Sequence, residues 1–501
     1  MAAACLWLAR AGTAFAGVYQ GPVDEATWQR MLGEVDSARE ALAEMIARAE
    51  AQGIPTEYAR VSLVTIDLFR GKFAPWDRAH PAEVQAMYDA KYFSRHDPVG
   101  PVRLPFDELA DCIEVADTAM AELERQLQGS LRLVRPPDFS ADDIRLVGAY
   151  YRLRGRVVFP SYFFWHPFEE DLMQAYGRSG EGYLAVTDLG PDGHVRSWRH
   201  DALVDLIRRQ ADARRAPIQF FLGHVVGEGA WQRLAHPKVF AAGGRLFTDY
   251  DIDHPLVREW LETLFAEQMA PAVAACGDKP RVHMMANEPA FPMREGGVQA
   301  ENGVSGWTMT KFRAWLQAKY GSIDAVNQLY GTAWGDFGEA TMPLPMPLSL
   351  QGGARWYDWC RFNMDRVNEW FAWLHERIHA VDPDGKTHVK LMGERSVHFE
   401  YRDEGLDFES IVRLVDMPGT DSQMTPADAE WDVRFDQSWR GRYCLEWRAQ
   451  AIMLDFIRSL APGKPCYDSE WHGLSGSRWR AFHMDRRYVR AALWLAFSGG
   501  L

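Results

Sequence analysis

A chain of 501 residues exceeds one ordinary domain and has room for a barrel of about 250 residues or more with additions. Its 47% hydrophobic and 25% charged residues are the balance of a soluble globular protein with a large core. A formal net charge of -14 argues against a nucleic-acid partner, and no apolar run reaches the roughly 20 residues of a membrane span.

The first residues, MAAACLWLARAGTAFAG, are Ala-rich and hold Ala14-Phe15-Ala16, a cleavage site of the A-x-A type. No Lys or Arg precedes the apolar stretch, and Arg10 interrupts it, so the compartment stays open between cytoplasm and secretion or periplasm. A start inside a longer gene fits this segment at least as well.

Residues 1–145 read as a mostly helical region. One apolar stripe runs through Trp28, Met31, Leu32, Val35, Leu42, Met45, Ile46 and Ala49, and a second through Leu109, Ile113, Ala116, Met120, Leu123 and Leu127. The second stops at Gly129, a residue suited to a helix C-terminus. No chemistry is visible here, and the region is expected to pack against the next domain. Pro136-Pro137 marks the boundary.

Residues 146–501 change pattern, with short apolar runs alternating with helical stretches. Candidate strands are 157–165, 183–188, 218–226, 282–287, 388–393, 415–419, 466–470 and 493–498. Amphipathic helices fill most gaps, as at 202–213, 255–270 and 356–380. Such alternation gives parallel strands with right-handed crossovers; it fits a doubly wound open sheet, but eight strands favour a closed (β/α)8 TIM barrel. Turn residues Gly277-Asp278-Lys279-Pro280, Pro383-Asp384-Gly385 and Pro462-Gly463-Lys464-Pro465 precede the fourth, fifth and seventh strands. Between strands four and five lies an insertion with helices near 311–319 and 324–330 and a Pro/Met-rich stretch at 342–350, expected to overhang the C-terminal rim. Leu501 falls just after the eighth candidate strand, so the reading includes truncation there.

Two strand ends carry the chemistry. Asn287-Glu288-Pro289 closes the fourth candidate strand, and Glu470, followed by Trp471 and His472, closes the seventh. Two carboxyl groups facing one sugar ring can divide glycoside hydrolysis: one protonates the leaving oxygen and the other attacks or stabilises the oxocarbenium-like centre. A Trp wall beside such a group desolvates it and raises its pKa, as an acid catalyst requires.

This arrangement resembles clan A of the glycoside hydrolases, retaining enzymes with Asn-Glu at the end of strand four and a second Glu at the end of strand seven. Within the clan, 312–331 (FRAWLQAKYGSIDAVNQLYG) and Thr332-Ala333-Trp334 resemble the family 42 β-galactosidases. The resemblance covers roughly residues 150–501. It implies Glu288 as acid/base, Glu470 as nucleophile and Asn287 as a hydrogen-bonding partner of the sugar 2-hydroxyl, without any cofactor. The implied reaction is double displacement on a β-galactoside or related oligo- or polysaccharide. One departure is the end of strand six, Met417-Pro418-Gly419-Thr420-Asp421-Ser422-Gln423, which lacks the Tyr that many clan members carry there.

Other strand-end polar groups are candidate sugar contacts: Trp165, His166, Asp188, His224, Glu394, Asp421, Gln423, Trp471 and His472. Each is equally readable as a structural hydrogen-bonding residue. Of the 20 Trp, the core takes the larger share and the rest offer stacking platforms for sugar rings. Two rival readings remain. A metal-dependent barrel hydrolase would draw ligands from His166, His224, Glu394, Glu470 and His472, but no H-x-H or H-E-x-x-H pair exists, so no metal is expected. A non-catalytic carbohydrate-binding protein would need neither Glu288 nor Glu470. The six scattered cysteines form no C-x-x-C pair and read as free thiols. Oligomeric state is not encoded in any pattern found.

Overall fold

The computed structural model describes residues 19–89, 100–133, 144–160, 180–211, 217–222, 230–241, 248–291, 304–344, 346–391, 404–421, 447–470 and 486–501. The helical start is borne out. Helix α1 (Glu25–Ala51) is capped by Asp24, whose carboxylate accepts from the Thr27 amide, and it buries Trp28, Met31, Val35, Leu42, Ile46 and Ala49. With α2 (Glu57–Leu68) and α3 (Leu104–Leu127) it closes a core of its own. Past α3, Gly129 takes a φ of +73°, the left-handed conformation that ends helices.

A small antiparallel sheet follows: β1 (Ile144–Val147), β2 (Tyr150–Leu153) and β3 (Arg156–Val158). Then come six parallel strands, each beside its predecessor: β4 (Gly180–Leu184), β5 (Ile218–Leu222), β6 (Arg281–Asn287), β7 (Lys386–Leu391), β8 (Gly419–Thr420) and β9 (Tyr467–Asp468). Their helical partners include α4 (Ser197–Ala211), α5 (Pro255–Leu264), α8 (Ala354–Val381), α9 (Phe408–Leu414), α10 (Trp447–Leu460) and α11 (Arg486–Ser498). Every residue of β5 and β6 is buried, as expected of strands covered on both faces. Outward residues Ile218, Phe220, Leu222, Met285, Val389 and Leu391 join a core with Trp260, Leu264, Val367, Trp370 and Leu374 of the helices.

The opposite face turns inward. The Tyr467 hydroxyl of β9 donates to Gln219 Oε1 of β5 at 2.9 Å, although three strands separate them in the sheet. Only a sheet curled on itself brings those side chains together. Below it, Ile144 and Tyr151 of the antiparallel sheet pack against Val282 and Met417, at the N-terminal ends of the parallel strands.

Three sequence expectations are corrected. Of segment 157–165, the part up to Val158 belongs to the antiparallel sheet and 161–165 lies outside the described residues. The second candidate, 183–188, is displaced: Gly180–Leu184 is the first of the described parallel strands, and Val186–Asp188 is a 3-10 turn. Segment 493–498 is the end of α11, not an eighth strand: Ala492 and Ala496 are buried four residues apart while Trp494 is exposed.

The insertion between β6 and β7 contains α6 (Gly306–Tyr320) and α7 (Ile323–Tyr330), with a separate core of Phe312, Leu316, Val326, Trp359 and Phe362. Buried Asp358 of α8 accepts from Lys319, Tyr320 and Tyr330 at 2.5, 2.5 and 2.6 Å, pinning both insertion helices to the barrel. Cys112, Cys276, Cys360 and Cys466 are buried free thiols. Among the described residues, no helix is long and apolar enough to cross a membrane.

Candidate active site

Glu288 follows the last residue of β6 and has a φ of +45°. A left-handed conformation costs a non-Gly residue about 1–2 kcal/mol, and Pro289 further disfavours the ordinary helical alternative. The surroundings hold it there. The Glu288 amide donates to Lys390 O of β7 at 3.0 Å. Three residues on, the Phe291 amide donates to Glu404 O at 2.8 Å and its carbonyl accepts from Asn363 Nδ2 at 2.7 Å. Asn363 is in turn held by Arg366, which is buried against Asp253.

Glu470 is positioned from the other side. His388 of β7 donates from Nδ1 to Met417 O, which is acceptor only. Burial, with the Lys390 charge adding to it, pushes this imidazole down to about 3, so it is neutral and its Nε2 accepts from Ser469 Oγ at 2.9 Å. Ser469 also donates its amide to Thr420 O at 3.3 Å, and Asp468 Oδ1 accepts from the Glu470 amide at 3.1 Å. Gly419 has to be glycine at this point: an added Cβ would collide with the Tyr467 carbonyl and the His388 ring.

Both carboxylates converge on one cation. Lys390 is fully buried, and its ammonium contacts Glu288 Oε1 at 3.0 Å and, closer still, Glu470 Oε2. The nearest oxygens of the two carboxylates therefore lie less than twice 3.0 Å apart. Burial works against the Lys390 charge, but Glu288, Glu470 and Asp421 outweigh it and raise its pKa. Asp421 follows β8, with its amide donating to Leu391 O at 3.3 Å. Asn287 is buried, and its Oδ1 has no partner among the described residues.

The structure thus brings together Asn287, Glu288, Asp421 and Glu470. Asp188 is tied into the scaffold: its carboxylate accepts from the Ala185 amide and Gln268 Nε2 and pairs with Arg199. Trp165, His166, His224, Glu394, Gln423, Trp471 and His472 lie outside the described residues. Lys390 was missed, although a lone Lys in the apolar run His388-Val389-Lys390-Leu391 was a visible anomaly. Elsewhere, His375, His379 and Asp416 have metal-ligand spacing, but they hydrogen-bond with Thr387 and one another at the opposite end of β7 from Lys390.

Parallel strands curled around a closely spaced carboxylate pair define an α/β barrel of the glycoside hydrolase type, preceded by a helical region. Comparison with known proteins makes this resemblance specific to family 42. The β-galactosidase family model of glycoside hydrolase family 42 matches residues 295–498. A curated β-galactosidase of Arthrobacter sp is 26% identical over 174 residues, covering 34% of this chain and 22% of the relative. The crystal structure of an apo family 42 exo-carrageenase from Bacteroides ovatus superposes with a TM-score of 0.79 at 26% identity, over 94% of this chain and 63% of that one. The chain spans about a fifth of the curated relative and less than two thirds of the solved one.

Proposed function

We propose that this protein is a retaining β-glycoside hydrolase acting on a β-galactoside or a related galactose-containing oligo- or polysaccharide. The observation that carries the reading is the carboxylate pair. Carboxylates whose oxygens meet on one ammonium, less than twice 3.0 Å apart, favour the roughly 5–5.5 Å spacing of a retaining pair over the roughly 6.5–9.5 Å of an inverting one. Glu470 attacks the anomeric carbon while Glu288 protonates the departing oxygen; Glu288 then takes a proton from the water that releases the sugar. Asn287 offers the sugar 2-hydroxyl its buried oxygen, which has no partner among the described residues. The neighbour described as an exo-carrageenase extends the candidate substrates from small galactosides to galactan chains.

The test uses aryl β-galactosides and carrageenan oligosaccharides with the single variants Glu470→Ala and Glu288→Ala. Removing the nucleophile abolishes the covalent intermediate, and azide filling the gap gives a product of inverted configuration. Removing the acid/base spares the first step for substrates with good leaving groups; the intermediate accumulates, and azide captures it with net retention. The same anomeric configuration from both variants overturns the assignment.

A further inference from the structure

The pair of carboxylates poses a problem that the buried lysine sharpens. A retaining enzyme needs one carboxyl protonated and the other ionised when the sugar is bound. Here a fully buried ammonium contacts both, more closely Glu470, and an opposite charge in contact favours an ionised carboxylate. Among the described residues, this contact gathers two carboxylates on one ammonium, with Asp421 acting on the same charge. A buried Lys is costly unless paired, and Lys390 is paired with both Glu288 and Glu470.

Resting on the hydrolase reading above, we infer that Lys390 is a positioning residue that marks Glu470 as the nucleophile by holding its charge, while its looser contact to Glu288 gives way when the sugar enters. Its closer contact is to Glu470, the longer one to Glu288. A sugar between the carboxylates parts the longer contact. Lys390 then stays on Glu470 and keeps it anionic for attack on the anomeric carbon. The same ammonium then stands beside the carboxylate that leaves when the glycosyl-enzyme is hydrolysed. The described charged and titratable groups facing Lys390 are Glu288 at the end of β6, Asp421 after β8, Glu470 after β9 and His388 two residues back on β7; Asp468 holds the Glu470 amide.

The experiment is the pH profile of kcat/KM on an aryl β-galactoside for the wild type, Lys390→Met and Lys390→Arg. Removing the positive charge makes ionised Glu470 harder to keep, so the acid limb of the bell in Lys390→Met moves to higher pH by about 1–3 units. Lys390→Arg keeps the charge and leaves the limbs in place at reduced height. A Lys390→Met profile that is lower but unmoved means the lysine is only structural and overturns the inference. Should Lys390→Met fail to fold, the wild type decides the matter. Inactivation by an activated 2-fluoro-galactoside, read in short pH jumps, must persist below the ordinary Glu value of about 4.3. An acid limb at or above that value refutes an ammonium-stabilised nucleophile. A wild type that hydrolyses no glycoside and forms no adduct sinks the hydrolase reading itself, a different outcome from an active enzyme whose bell does not move.

Discussion

His388 never contacts the space between the carboxylates, yet it shapes Glu470 through Ser469 and carries a measurable signature. Its burial lowers its pKa to about 3, from an ordinary 6.5. Between those values the unfolded chain binds a proton that the folded chain does not. The stability His388 contributes is therefore present above pH 6.5 and is lost as pH falls toward 3, at up to about 1.4 kcal/mol per pH unit. Lys390 adds to this direction, because it opposes a second positive charge beside it. Denaturant unfolding at neutral and mildly acid pH should show a steeper acid loss in the wild type than in His388→Gln; equal slopes would contradict the neutral buried imidazole. At this scale the sequence was half legible. Glu288 and Glu470 could be found because each closes an apolar run, and a carboxylate there has little structural reason to exist. Lys390 escaped because it lies within its strand, where pattern reading looks for apolar residues, and its justification is two carboxylates distant in sequence.

At the scale of elements, the strands bounded by Gly and Pro turns were read well, since β6 and β7 start directly after those turns and carry continuous apolar runs. The misread ones lacked such punctuation. Leu493, Trp494, Leu495 and Phe497 look like a buried strand until the alanines at 492 and 496 are seen to define a helical stripe. The insertion helices were legible from their periodicity, but not what ties them down. Asp358 gathers Lys319, Tyr320 and Tyr330 on one buried carboxylate. In Asp358→Asn an amide donor would face three donors, and one charge would go unpaired. We expect about 3 kcal/mol of destabilisation, concentrated in α6 and α7. Hydrogen exchange should speed up there well before it does in β5 and β6; uniform loss of protection would mean the insertion has no separate anchoring.

Across the whole molecule, the two ends of the barrel divide stability from function. At the N-terminal end, buried Asp382 binds Arg281 through two 2.8 Å hydrogen bonds, pairs with His283 at 2.7 Å and accepts from the Gly385 amide at 3.0 Å. Burial pushes its carboxyl up, but His283 and Arg281 together hold it well below the usual carboxylate range. Both Asp382 oxygens are matched. At the C-terminal end, Asn287 Oδ1 is buried without a described partner, Glu288 is in a costly backbone conformation, and like charges crowd one ammonium. Such imperfections persist where they serve a ligand, and removing them tends to stabilise while removing function. The two ends should then respond with opposite signs. Asp382→Asn leaves Arg281 buried without its counter-charge and should cost about 3–5 kcal/mol of stability, while the folded fraction keeps kcat/KM within a few-fold. Asn287→Ala should leave the denaturation midpoint unchanged or raised and lower kcat/KM about 10²-fold or more, as loss of a strengthening contact to the sugar 2-hydroxyl predicts. Paired denaturation and kinetic measurements on the two variants decide it. If Asn287→Ala is the less stable variant with near-normal kinetics, the polar group at the barrel mouth is scaffold, and the division between the ends fails.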